Sequence, residues 1–115
     1  MTTEQRVHPR VPGGFHGNWR RTSMLGVSVA GGYGVVANLS VGGCFLEASE
    51  PLPSGARVRL HLDLPLAGWT WLSSQVVHTH PNRGFGVRFV NPTPRDQEAL
   101  ARAVEHLSQE RSGRM

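Results

Sequence analysis

Two short stretches of this chain carry side chains suited to gripping a phosphate or the edge of a nucleobase. The first is Arg6-Val7-His8-Pro9-Arg10 and the second is Asn38-Leu39-Ser40-Val41-Gly42-Gly43. Guanidinium presents a planar fork of donors that bonds bidentately to phosphate and to guanine O6 and N7. Pro9 disfavours the helical region for His8, so the segment is extended and Arg6 and Arg10 are not stacked one helical turn apart. They can instead wrap around a ligand. By itself, the same spacing also describes a solvated arginine-rich arm. In the second stretch, Asn and Ser are turn formers whose side chains bond nearby amides, and glycines supply positive φ or close backbone approach. Leu39 is expected to face inward, which sends Asn38 and Ser40 outward to one side, where they could meet what the arm delivers. A tight inter-strand connection would use the same residue types.

Other candidates are thinner. Cys44 is the single cysteine, so no internal disulfide can form, and its place in an apolar-alternating segment marks it as a small buried hydrophobe. His78 and His80 could share one strand face, but no third or fourth ligand stands at metal-site spacing. Arg88 and His78 are candidates to flank a bound base. The eight acidic residues are scattered, and no nucleophile triad, paired carboxylates or phosphate-cradling glycine loop is present, so no catalysis is expected. Trp19, Trp69 and Trp71 together with a net charge of +4 raise single-stranded nucleic-acid binding as a further reading. Trp69 and Trp71 share a face, however, and are expected to fill the core or pack under a helix, so a nucleic-acid partner is the weakest of the readings.

These residues must be positioned by one domain, since 115 residues support a single core. All twelve basic residues are arginine, a composition that GC-rich coding also produces, so only their placement is informative. No signal-like stretch and no run of about 20 apolar residues is visible, which points to a cytoplasmic location. Arg57 to Leu64 alternates strictly, with Val58, Leu60, Leu62 and Leu64 on one face. The same period sets Tyr33, Val35, Ala37 and Leu39 on one face, then Cys44 and Leu46, then Leu72, Ser74 and Val76, then Phe85, Val87 and Phe89. Another strand is expected from about Phe15 to Thr22. Glycine and proline breakers separate these runs. Six short antiparallel strands avoid exposed edges by closing into a β-barrel. Thr93-Pro94-Arg95-Asp96 supplies an N-cap signature, so a C-terminal α-helix is expected over about Pro94 to Gln109, with Leu100, Val104 and Leu107 facing the barrel. The division expected is a flexible arm over residues 1–14, barrel and helix over 15–110, and a disordered tail over 111–115.

The order and spacing of the two stretches resemble the two-part signature of PilZ domains, RxxxR followed by [D/N]xSxxG. Val-Pro after Arg10, Gly55-Ala-Arg-Val-Arg-Leu, Gly86-Val-Arg-Phe and the final helix extend the resemblance over nearly the whole chain. Asn38 stands where Asp is commoner, and the stretch from Gly13 to Gly32 is longer than usual for the family. The resemblance implies a six-stranded antiparallel β-barrel with a C-terminal helix and a ligand site on its outer surface. It implies cyclic di-GMP as ligand, with Arg6 and Arg10 on its guanine edges and phosphates and Asn38, Ser40 and Gly43 as the barrel wall. No resident cofactor is expected. A receptor with no effector domain in this sequence would act through a partner protein. A PilZ-like adaptor that binds proteins without the ligand is the alternative.

Overall fold

A computed structural model describes residues 10–23, 25–50 and 52–112. Six strands, β1 (Val11–Thr22), β2 (Ser28–Leu39), β3 (Gly43–Glu47), β4 (Arg57–Leu64), β5 (Gly68–His80) and β6 (Gly84–Phe89), are followed by α1 (Pro94–Ser112). All neighbours pair antiparallel, and the sheet closes into a barrel in the order β1-β2-β3-β6-β5-β4. Closure follows from the β1–β4 pairing, Gly17↔Leu62 to Arg21↔Val58, which removes most of the open edges that a six-stranded sheet would expose.

Alternation fills the lumen. Val58, Leu60, Leu62 and Leu64 of β4 meet Trp19, Val36, Leu46, Leu72, Val76, Phe85 and Val87 from the other strands in one core. Trp19 and Phe85 pack edge to face with centroids 6.1 Å apart. The helix adds Leu100 and Ala103, both fully buried, with Val104 and Leu107 packed partly against the same core. Burying one such leucine contributes about 1.5–3 kcal/mol. The N-cap forms as a reciprocal box: the Asp96 amide donates to Thr93 Oγ1 at 3.0 Å, and the Thr93 amide donates to Asp96 Oδ2 at 3.1 Å.

Four expectations are corrected. Tyr33, Val35, Ala37 and Leu39 do not share the inner face: Val36 and Leu39 are the buried pair, because a bulge between Val36 and Asn38 in the β2–β3 pairing shifts the parity. Tyr33 is consequently exposed. Trp69 and Trp71 fill no core, being 50% and 41% exposed on the outer wall of β5, where they line a cleft together with Arg95, Glu98, Ala99 and Arg102 of α1. The strand expected from Phe15 starts at Val11, so Val11 to Gly14 belongs to β1 and not to the arm. The helix continues to Ser112, into the stretch assigned to the tail. Among the described residues, no helix is long and apolar enough to cross a membrane.

Candidate ligand-binding site

The chain leaves β2 through a turn that its own residues lock. The Ser40 amide donates to the Gly43 carbonyl at 2.8 Å. The Ser40 hydroxyl accepts the amides of Gly42 and Gly43, both at 3.1 Å, and donates to the Gly43 carbonyl at 3.2 Å. The Phe89 amide donates to the Gly42 carbonyl at 2.9 Å, tying the turn to β6. Gly43 is required by close approach: a Cβ there would run into the carbonyl oxygen of Val87 on β6. Ser40 is therefore 4% exposed and turned into the structure. The outward direction expected for it fails because the chain leaves the strand alternation one residue earlier.

Asn38 stays half-buried on the outer side, and the pairs Val11↔Leu39 and Pro12↔Asn38 bring the start of β1 alongside it. Arg10 Nη1 donates to Asn38 Oδ1 at 2.6 Å, across 28 positions of sequence. The bond joins the last residue of the first motif to the first residue of the second and fixes the direction of the guanidinium. Arg6 lies outside the described residues.

The strand register adds a side chain that the motif analysis passed over. Phe45 is opposite Asn38 on one side and Gly86 on the other, on the outer face between inward Cys44 and Leu46. It is nevertheless covered: His78 stacks on it at 5.9 Å and 24°, His80 lies at 5.6 Å, and the Arg83 guanidinium sits 5.9 Å from its centroid. The parity of Cys44 and Leu46 was the available signal. His78 and His80 are thus spent as rings around Phe45, and among the described residues no group of three potential metal ligands assembles. His78 lies over the bare backbone of Gly86, where a Cβ would strike its imidazole. Arg88 pairs in register with Gly43, and its Nη2 donates to Gln75 Oε1 at 2.8 Å. Both flanking candidates therefore adjoin the wall that starts at Asn38. Burial pushes the Cys44 thiol up to about 12, with the Arg10 charge pulling weakly the other way, so Cys44 is an inert core residue.

What forms is an open, arginine-topped wall with flat rings beside it. The sequence model of the PilZ domain matches residues 4–106. None of the curated proteins matches the sequence. Among solved structures, the PilZ domain of YcgR from Escherichia coli with c-di-GMP superposes with a TM-score of 0.72 at 18% identity, covering 96% of this chain and 97% of that one. The PilZ domain of CeSA from a cellulose-synthesizing bacterium gives 0.67 at 20%, covering 87% and 98%. The K. pneumonia MrkH–c-di-GMP complex gives 0.73 at 16%, covering 99% of this chain and 56% of that one. The chain thus spans the whole of the isolated domains and about half of the longer protein. With the family signature matched over most of the sequence and the barrel and helix matched in space, the chain belongs to the PilZ domain family.

Proposed function

We propose that this protein is a non-enzymatic receptor for cyclic di-GMP that hands the bound state to a partner protein. The observation that carries this reading is the Arg10–Asn38 bond, which assembles the two halves of the signature at one place on the outer wall. Arg10, with Arg6 from the preceding segment, takes the guanine edges and phosphates. Asn38 orients Arg10, Ser40 and Gly43 hold the turn in shape, and Phe45 with His78 supplies a flat neighbour. The structures of YcgR and MrkH with c-di-GMP support the ligand assignment.

Ligand binding then pins the segment around Arg6 against the barrel, because a doubly anionic ligand offsets the repulsion between the two arginines. A partner that prefers this arm–ligand–wall surface converts binding into a signal. Calorimetric titration with cyclic di-GMP, with GTP and cyclic di-AMP as controls, tests the reading. Adenine presents N6 as a donor where guanine presents O6 as an acceptor, so cyclic di-AMP should compete poorly. Equal affinity for the two cyclic dinucleotides would defeat base recognition, and no binding at all would leave the barrel as a protein adaptor. Hydrogen exchange should show protection rising on ligand addition over residues 4–11 and 38–43 with little change in β4. Unchanged exchange near Arg6 would defeat the switch.

A further inference from the structure

The wall formed by β2, β1, β4 and β5 carries two transverse rows of a different character. One row, in strand register, is Tyr33, Asn18, His61 and Trp71; the next is Gly31, Arg20, Arg59 and Ser73. Arg20 and Arg59 are exposed and directly opposite each other, an arrangement of like charges that destabilises a sheet. Among the described residues, the ion pair Glu98–Arg102 and the contact His106–Glu110 both lie within α1, so neither offsets these arginines.

The rings beside them are ordered and exposed. His61 stacks on Trp71 at 4.1 Å and 5°, and Trp69 leans on His61 at 4.9 Å. The Arg59 guanidinium lies 4.9 Å from the Trp71 centroid. Trp71 is 41% exposed and Tyr33, at the other end of the row, 78%. A shallow cleft runs between them, lined by Asn18, Arg20, Gly31, Tyr33, His61 and Trp71.

We infer that this wall is a binding surface for single-stranded nucleic acid. The opposed arginines favour an anion; Trp71, which already carries His61 and the Arg59 guanidinium over its ring, holds that charge in place and shows its edge, while the exposed Tyr33 ring offers a stacking face to a flat heterocycle, so phosphate and base are accommodated together. Measured along the curved wall, four strands at roughly 4.8 Å spacing give the row a length of about 14 Å, longer than one nucleotide and suited to a short strand wrapped across the sheet. The absence of a side chain at Gly31 leaves the floor bare beside Arg20. A sequence pI near 11.0 matches such a partner. The inference is independent of the cyclic di-GMP reading, since Arg10 and Asn38 take no part in it.

The test is fluorescence anisotropy of the full chain against a labelled oligothymidylate of about 12 nucleotides, within the range of single-strand binders. Binding should weaken steeply with salt and quench tryptophan emission. Trp71→Ala and Tyr33→Ala should each weaken it about ten-fold with the thermal midpoint unchanged, and Trp71→Phe should restore most of it. Replacing both Arg20 and Arg59 by Gln should reduce the salt slope by about 1.4. Absence of binding at low salt would overturn the inference. So would wild-type affinity in Trp71→Ala, or equal affinity for a duplex or for heparin, which would leave charge alone. Tighter binding of polyglutamate would make the wall a dock for an acidic protein.

Discussion

The two turns at the ends of β2 are built with the same device and end in different states. At one end, the Ser23 hydroxyl accepts the amides of Leu25 and Val27 at 3.2 and 3.3 Å, and the Ser23 amide donates to the Val27 carbonyl at 2.8 Å. At the other, the Ser40 hydroxyl accepts the amides of Gly42 and Gly43. The first turn stands in solvent, with Leu25 90% exposed, while the second is buried. The difference is β6, whose Phe89 amide bonds Gly42 and whose Val87 backbone presses on Gly43. A serine bonded to its own following amides is a local preference; rigidity comes from a third strand closing over it. Water can replace the bonds of the Ser23 turn, but it does not reach the bond between the Gly43 amide and Ser40, which is buried. The fixed turn is the one that adjoins the Arg10–Asn38 pair.

The comparison breaks most sharply at glycine. Gly43→Val should abolish cooperative unfolding, since its side chain would force β3 off β6 at a cost above about 3 kcal/mol. Gly26→Ala, at φ 82° with open space around it, should cost about 1 kcal/mol from backbone conformation alone. Denaturant melts of the two variants check this, and a native-like melt for Gly43→Val would mean that β6 does not hold the turn. Ser40→Ala removes the partner of one buried amide, that of Gly43, and of the half-buried amide of Gly42, and should cost about 1–3 kcal/mol, whereas Ser23→Ala should stay within about 0.5 kcal/mol. Equal costs would erase the distinction between the turns. Arg10→Ala should weaken cyclic di-GMP about ten- to a hundred-fold by titration with little change in melting, the range given by roughly 1–3 kcal/mol per bidentate contact. Lysine at position 10 should recover little, because a point charge lacks the fork.

Much of this was legible from sequence, and the failures share a cause. Strict alternation fixed β4 to the residue, and the Thr93–Asp96 signature fixed the start of the helix, because both depend on neighbours in the chain. The parity of β2 did not follow, since the bulge before Asn38 is set by the pairing with β3. Ser40 was placed among the site residues but facing the wrong way, for its direction depends on β6. Trp69 and Trp71 were recognised as sharing a face, yet which face is decided by the pairing of β5 with β4. The opposition of Arg20 and Arg59 could not be read at all without the register between β1 and β4. Residue types were thus visible wherever chemistry was local, and geometry was not wherever two distant strands had to meet.

The smallest effect concerns Cys44, which pairs with Leu39 where the chain folds back through the fixed turn. Its thiol is fully buried and pushed from 9.0 to about 12 by loss of solvation. In the unfolded chain the thiol ionises near its ordinary value, so between that value and about 12 the unfolded state has released a proton that the folded state keeps. Stability from this group is therefore full below about pH 9 and falls as pH rises, by about 1.4 kcal/mol per unit, until the folded thiol also ionises. Denaturant melts at pH 8 and pH 10 should show this loss in the wild type and show it reduced by about 1 kcal/mol in Cys44→Ala, whose own baseline is lower because a small cavity is left. Alkylation of the native protein should be slow and should accelerate only with global unfolding. The exposed Ser23 turn offers no such reporter. Rapid native-state alkylation of Cys44 would show that the buried end of β2 opens as readily as the solvent-exposed one, and the contrast between the two turns would then be one of geometry without stability.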